Sequence, residues 1–218
     1  MQKTVGDVMT RDVVTVPPEA SFREAVRLIE ERHVDALPVV DDTGTVIGVL
    51  AESDLLLKEE LSEGPRGQSG MPWQRRRDRV RASATVVREA MSTRMVTVGA
   101  EASLSAAARL MHRHRVGGLP VVDGDRHLQG IVTRSDLLRV FLREDDDLCQ
   151  DIRDALGPMA RDVSCSVSDG RATLTGRVRL RSEMLGVAAL AHRVAGVIEV
   201  DNRVHYDADD VQVAMVGP

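Results

Sequence analysis

Gly130-Ile131-Val132-Thr133-Arg134-Ser135-Asp136-Leu137-Leu138 reads as a buried apolar strand that ends in hydroxyls and a carboxylate, with a helix following at once. Ser135 and Asp136 carry side-chain oxygens able to accept from unpaired first-turn N–H groups, which marks the helix start. Thr133 and Asp136 then stand at the carboxyl end of a strand, where open α/β sheets hold ligands. A related stretch, Gly48-Val49-Leu50-Ala51-Glu52-Ser53-Asp54-Leu55-Leu56, occurs 82 residues earlier (130 − 48 = 82). That offset holds without a gap from Val8–Leu57 to Ala90–Arg139, and 21 of the 50 aligned pairs are identical. Two copies of one supersecondary unit follow from such agreement.

Each copy reads strand, helix, strand, strand, helix. In the first, Val13–Val16 is an apolar run that Pro17-Pro18 breaks. Ser21-Phe22-Arg23-Glu24 has the spacing of a capping box, and Ala25, Leu28 and Ile29 continue at helical period. Leu37–Val40 and Val46–Leu50 are strands around a turn at Asp41–Thr45. One such unit cannot cover both faces of its sheet, whereas two related by pseudo-symmetry can.

The motifs recur in order, twice: Met-Thr or Met-Ser before Val-Thr-Val, then Leu-Pro-Val-Val-Asp, then a Gly-initiated strand ending three residues before Asp54 or Asp136. This pattern resembles the CBS domain, and its tandem form resembles the Bateman module. The resemblance implies an adenine-nucleotide cleft between paired domains and dimerisation through the pair. The ligand contacts it implies in the second copy are Thr97, Val116, Gly118, Leu119, Pro120, Thr133, Arg134 and Asp136. A weaker second site takes in Thr15, Val34, Leu37, Pro38 and Asp54. It is weaker because Ala51 and Glu52 replace Thr133 and Arg134, losing a hydroxyl and setting an acid where a phosphate favours a base. The chemistry fits the residue types. A carboxylate accepts from two neighbouring ribose hydroxyls, and Gly117-Gly118 lets backbone approach an adenine edge.

Past the second copy, Glu144-Asp145-Asp146-Asp147 precedes a helix read over Asp151–Leu156, with Asp147 and Gln150 as cap and reciprocal partner. Strand-like runs at Val163–Val167, Ala172–Val178 and Ile198–Val204 surround a helix at Ser182–Val194, with a turn at Asp169-Gly170. The order is α-β-β-α-β. The stretches Asp169–Val178 and Gly196–Val204 resemble a BON domain, which implies phospholipid or other apolar-interface binding, or else a packing module. Cys165 alternates with Val163 and Val167 and reads as a small buried residue.

The expected architecture is therefore α/β (α+β): CBS-like units at 1–60 and 83–143, a Gly/Pro-rich then Arg-rich linker at 61–82, a BON-like domain at 144–207 and a tail at 208–218. Within the linker, Trp73 and the run Arg75–Arg81 suggest a solvated face, with anionic lipid, nucleic acid or a ligand phosphate as the functional alternatives. A net charge of −5 and 2% aromatics disfavour nucleic acid as a partner of the whole chain. No apolar run approaches the ~20 residues of a membrane span, and Met1–Asp7 lacks a signal-peptide core, so a cytoplasmic setting is expected, with membrane association through the BON-like domain as the variant. Two cysteines make no disulfide framework, the six histidines show no zinc spacing, and no P-loop or Gly-x-Ser-x-Gly is present.

The expected function is a non-enzymatic regulator with no catalytic or metal residues and no required cofactor. It would bind AMP, ADP, ATP or S-adenosylmethionine and form a homodimer through the CBS pair. The alternative is a ligand-free dimerising scaffold whose BON-like domain contacts phospholipid or a protein partner.

Overall fold

The helix signals in each repeat give matching helices. The computed structural model describes residues 3–56 and 83–211. In it, α1 (Val5–Val8), α2 (Phe22–Arg32), β1 (Ala36–Val40) and β2 (Val46–Ala51) are followed by helical residues 52–56. Their equivalents are α3 (Val87–Ala90), α4 (Leu104–His114), β3 (Gly118–Val122), β4 (Leu128–Thr133) and α5 (Arg134–Arg139). Ser21 Oγ accepts from the Glu24 N–H at 3.2 Å, and Ser103 Oγ accepts from the Ala106 N–H at 3.2 Å. Each satisfies one orphan donor of its helix. Ala25 and Ile29, or Ala107 and Met111, lie four apart on the buried face.

Both hairpins keep one register: Ala36 opposes Ala51 and Gly118 opposes Thr133, with a bulge at Val39/Val40 or Val121/Val122. The turns are held by Asp41, which accepts from Thr43 and Thr45, and by Asp123, which accepts from Asp125 and His127. These bonds favour the carboxylate form and lower both pKa values: the Thr43 hydroxyl leads at Asp41, the His127 N–H at Asp123.

The leading strand expected at Val13–Val16 does not form. Only Val16 pairs, in parallel with Val39, as Val98 does with Val121. Val16 donates to the Pro38 carbonyl and accepts from the Val40 N–H. Pro17 lacks the N–H needed to carry the ladder on, and Val13 donates locally to Arg11.

The repeats exchange their leading segments. Val5 and Gly6 donate to Ala102 and Ala100 of the second repeat, both at 2.8 Å, while Val87 and Arg88 donate to Ala20 and Pro18 of the first, both at 2.9 Å. Thr10 then pairs with Ile131, and Ser92 with Val49. One apolar core consequently mixes the repeats: Val16, Ala25, Ile29, Leu37, Val39 and Leu50 pack with Ala84, Val87 and Ala90.

The C-terminal elements follow the expected α-β-β-α-β order: α6 (Asp145–Leu156), β5 (Val163–Ser168), β6 (Arg171–Leu180), α7 (Arg181–Ala191) and β7 (Glu199–Ala208). β5 and β6 are antiparallel, β6 and β7 parallel, in the order β5-β6-β7. Asp169 and Gly170 both have positive φ, 52° and 71°, as a tight hairpin turn requires. Leu148, Ile152, Leu156, Leu174 and Val187 fill the core. Cys165 is buried there as expected, its carbonyl accepting from the Cys149 thiol at 3.1 Å.

Two details differ from the sequence reading. α6 starts at Asp145, well before Asp151, and Asp147 with Gln150 does not cap it: Glu144 is the N-cap, Asp147 sits in the first turn and Gln150 donates to Asp154. Three consecutive acids suit the positive helix end better than one acid placed outside it. Asp145 instead reaches across, accepting from the N–H groups of Asp169 (2.7 Å) and Gly170 (2.9 Å). α7 also stops at Ala191, short of Val194, and β7 runs on to Ala208.

By packing, one compact unit spans Thr4–Arg134 and the other begins at Ser135, inside α5. The linker at 61–82, with Trp73 and Arg75–Arg81, and the tail beyond 211 lie outside the described residues. No helix among the described residues is long and apolar enough to cross a membrane.

Candidate functional site

The segment exchange builds a cavity of about 420 Å³ inside the Thr4–Arg134 unit, with walls from both repeats. Asp35-Ala36 enters β1 and Ala51 leaves β2, directly opposite each other in the hairpin. Glu52 donates its N–H to the Asp35 carbonyl at 2.9 Å, which closes that end and starts the helix carrying Asp54. Ser92, hydrogen-bonded in both directions with Val49, carries Arg94, Met95 and Val96 across to face it. The remaining wall is the stretch from the end of α4 into β3: Arg115, Val116, Gly117, Gly118 and Pro120. Apolar Ala36, Val49, Met95, Val96, Val116 and Pro120 line it together with the charged Asp35, Glu52, Asp54, Arg94 and Arg115.

Of the residues singled out in the sequence, Asp54, Val116, Gly118 and Pro120 line this cavity together. The grouping differs from the sequence reading, because Asp54 belongs to the first repeat and the other three to the second. Asp54 is partly buried and accepts from the Ala51 N–H through Oδ2 at 3.1 Å. Leu119 and Leu37 do not line the cavity. Both are fully buried, since strand alternation turns them to the core side when Pro120 and Gly118 face the other way.

Thr133 ends β4 opposite Gly118, where an added Cβ would come within 3.5 Å of Thr133 Cγ2. The Arg134 N–H donates to the Gly117 carbonyl at 3.0 Å, repeating the Glu52–Asp35 bond. Asp136 lies in the first turn of α5, 6% exposed, with its carboxylate 3.7 Å from the Arg139 guanidinium. Thr97, Thr15, Val34 and Pro38 fall outside the lining of the described cavity. Sequence reasoning did not pick out Arg94 and Met95, because nothing local tells that the segment after Met91 crosses to the other repeat.

This arrangement can accept hydroxyls at Asp54, cover a flat apolar group between Val96, Val116 and Pro120, and meet an anion at Arg94 and Arg115. Among the described residues no group of three or more His, Cys, Asp or Glu is placed to hold a metal ion.

A CBS domain family model matches residues 5–59 and 87–143. The chain belongs to the CBS domain family. It carries a tandem CBS pair, and a BON domain follows at residues 144–208. The CBS domain-containing protein YhcV of Bacillus subtilis is 35% identical over 134 residues, 62% of this chain and 82% of that protein. Protein CBSX2 of Arabidopsis thaliana chloroplasts is 32% identical over 152 residues, 64% of each. A Methanocaldococcus jannaschii protein, MJ1404, is 34% identical over 135 residues, yet the chain spans only 31% of its length. The crystal structure of CBSX2 in complex with AMP superposes on the CBS pair with a TM-score of 0.57 at 34% identity, covering 64% of this chain and 97% of that one. A putative acetoin utilization protein (AcuB) from Vibrio cholerae gives a TM-score of 0.51 at 29% identity, covering 65% of this chain and 92% of that one.

Proposed function

We propose that this protein is a regulator whose CBS pair senses an adenine nucleotide and whose BON domain passes the signal on. The observation that carries the reading is the cavity formed across the two repeats. Its volume falls within the roughly 300–1,000 Å³ of small-molecule sites. Its lining combines apolar side chains with three carboxylates, Asp35, Glu52 and Asp54, and two guanidiniums, Arg94 and Arg115, groups that suit adenine, ribose hydroxyls and phosphate. The likeness to CBSX2, solved with AMP, supports the same ligand class. Asp54 takes the ribose, and Thr133 with Asp136 provides the repeat-equivalent position. Sensing requires the ligand to prefer one of two arrangements of the pair.

A homodimer accompanies this reading. Leu56 and Leu138, equivalent positions in the repeats, are 59% and 64% exposed, and each by itself offers apolar surface to a second copy. For the BON domain, the outward sheet face bears on a protein partner. It presents Ser164, Ser166, Thr173, Thr175, Arg203 and His205 and no apolar side chain, so it does not favour insertion into lipid. Sedimentation with phospholipid vesicles separates the two.

The ligand is tested by thermal shift with AMP, ADP, ATP and S-adenosylmethionine. A ligand at a hundredfold its Kd stabilises the folded state by about 2.7 kcal/mol. Absence of a shift with all four would leave the dimerising scaffold as the better account.

A further inference from the structure

Glu52 sets an acid in the lining of a cavity proposed to take a phosphate. Its repeat equivalent is Arg134, a base, which suits a phosphate. The crossing segment supplies the base instead. Arg94 lines the same cavity as Glu52, and the repeat equivalent of Arg94 is Asp12. The repeats therefore hold one base and one acid at this pair of positions with the signs exchanged: Glu52 with Arg94, Arg134 with Asp12. The base has moved to the other wall.

Arg115 adds a second cation with an unusual root. It is the C-cap of α4, with φ of 55°, and its N–H donates back to Met111 and His112. That left-handed position ordinarily goes to Gly or Asn, since a Cβ is disfavoured there. An arginine at this point starts its side chain where the chain leaves the helix and becomes the cavity wall. Among the described residues neither Arg94 nor Arg115 makes a salt bridge, whereas Arg88, Arg143, Arg171, Arg177, Arg181 and Arg203 all do.

We infer that Arg94 and Arg115 are the specificity-determining residues of this cavity, holding a ligand's anionic end so that it selects 5′-phosphorylated nucleosides over neutral or cationic adenosyl compounds. The inference rests on the adenine-nucleotide reading and goes beyond it by naming what separates one adenosyl ligand from another. A planar guanidinium matches phosphate oxygens two at a time. Glu52, an exposed residue of the same lining, adds a repulsive element against ligands with further negative charge near it.

The test is calorimetric titration of AMP and of adenosine into the full chain and three variants. Arg115→Asn keeps a residue that tolerates the left-handed backbone, and Arg94→Ala alters an exposed side chain; melts without ligand check that both fold. AMP affinity is expected to fall about tenfold in each, with adenosine affinity unchanged. In the third, Glu52→Arg combined with Arg94→Asp installs the other repeat's arrangement, and the preference for AMP is expected to survive. An AMP-to-adenosine ratio that stays constant across wild type and the single variants overturns the inference. Equal binding of AMP and adenosine by wild type overturns it too while leaving the adenine-ligand reading standing, and binding of neither compound overturns both.

Discussion

The sulfur of Met9 lies over Gly130, so close that a Cβ built on that glycine would approach Sδ to 2.6 Å and the Thr10 carbonyl oxygen to 2.9 Å. Met91 stands over Gly48 in the same way, at 2.6 Å, but the nearest backbone atom there, the Ser92 oxygen, is 3.2 Å away. These contacts lock each leading segment onto the opposite repeat. The methionine end can swing aside, whereas the backbone carbonyl cannot. Gly130→Ala should therefore destabilise the CBS pair by about 1–3 kcal/mol, in the range of overpacked sites, and Gly48→Ala by less. Urea unfolding checks the order. Two variants of wild-type stability would contradict the exchanged packing.

The same contacts show what was legible in the sequence. The 82-residue repeat, the paired hairpins, the Ser21 and Ser103 caps and the C-terminal α-β-β-α-β order all rest on local signals that a single stretch displays. The crossing of Val5–Thr10 and Val87–Ser92 is set by hydrogen bonds to carbonyls 94 to 121, or 43 to 70, residues away, which no periodicity reports. The sequence alone therefore groups Asp54 with Val34 and Pro38 rather than with Val116 and Pro120, and carries no local signal for Arg94. The identical Met9/Met91 and Gly48/Gly130 pairs were the available clue, since a glycine kept within an apolar strand marks close approach of something else.

In the BON domain, Asp145 accepts two backbone hydrogen bonds from the hairpin turn, at 2.7 and 2.9 Å. Hydrogen bonds to a charged group contribute about 1.5–3 kcal/mol, and solvent at the exposed Asp169 bond reduces its share. Asp145→Ala should lower stability by about 1–3 kcal/mol, and Asp145→Asn, which keeps one acceptor, by less. Chemical denaturation followed through the C-terminal transition measures both. Equal stability of Asp145→Ala and wild type would show that water replaces the bonds at no cost.

Burial above all, with the Cys149 thiol beside it, pushes the Cys165 thiol up from 9.0 to about 12. An unfolded chain releases this proton near pH 9 while the folded chain keeps it, so the folded state binds more protons between these values. The stability the group contributes is complete below pH 9 and lost as pH rises towards 12. Urea midpoints at pH 8, 9 and 10 should therefore fall more steeply for wild type than for Cys165→Ala. Parallel slopes would mean that the thiol is not protected by the core.

The most direct test of the proposed ligand site is isothermal titration of AMP into wild type and Asp54→Asn. Asparagine keeps an oxygen to accept from the Ala51 N–H, so the helix start survives while the charge that would face the ribose is removed. Saturable binding to wild type, weakened about tenfold or more in Asp54→Asn, is the predicted result, as expected for hydrogen bonds to a carboxylate at 1.4 kcal/mol per decade. Binding of AMP with the same affinity to both proteins, or to neither, would contradict it.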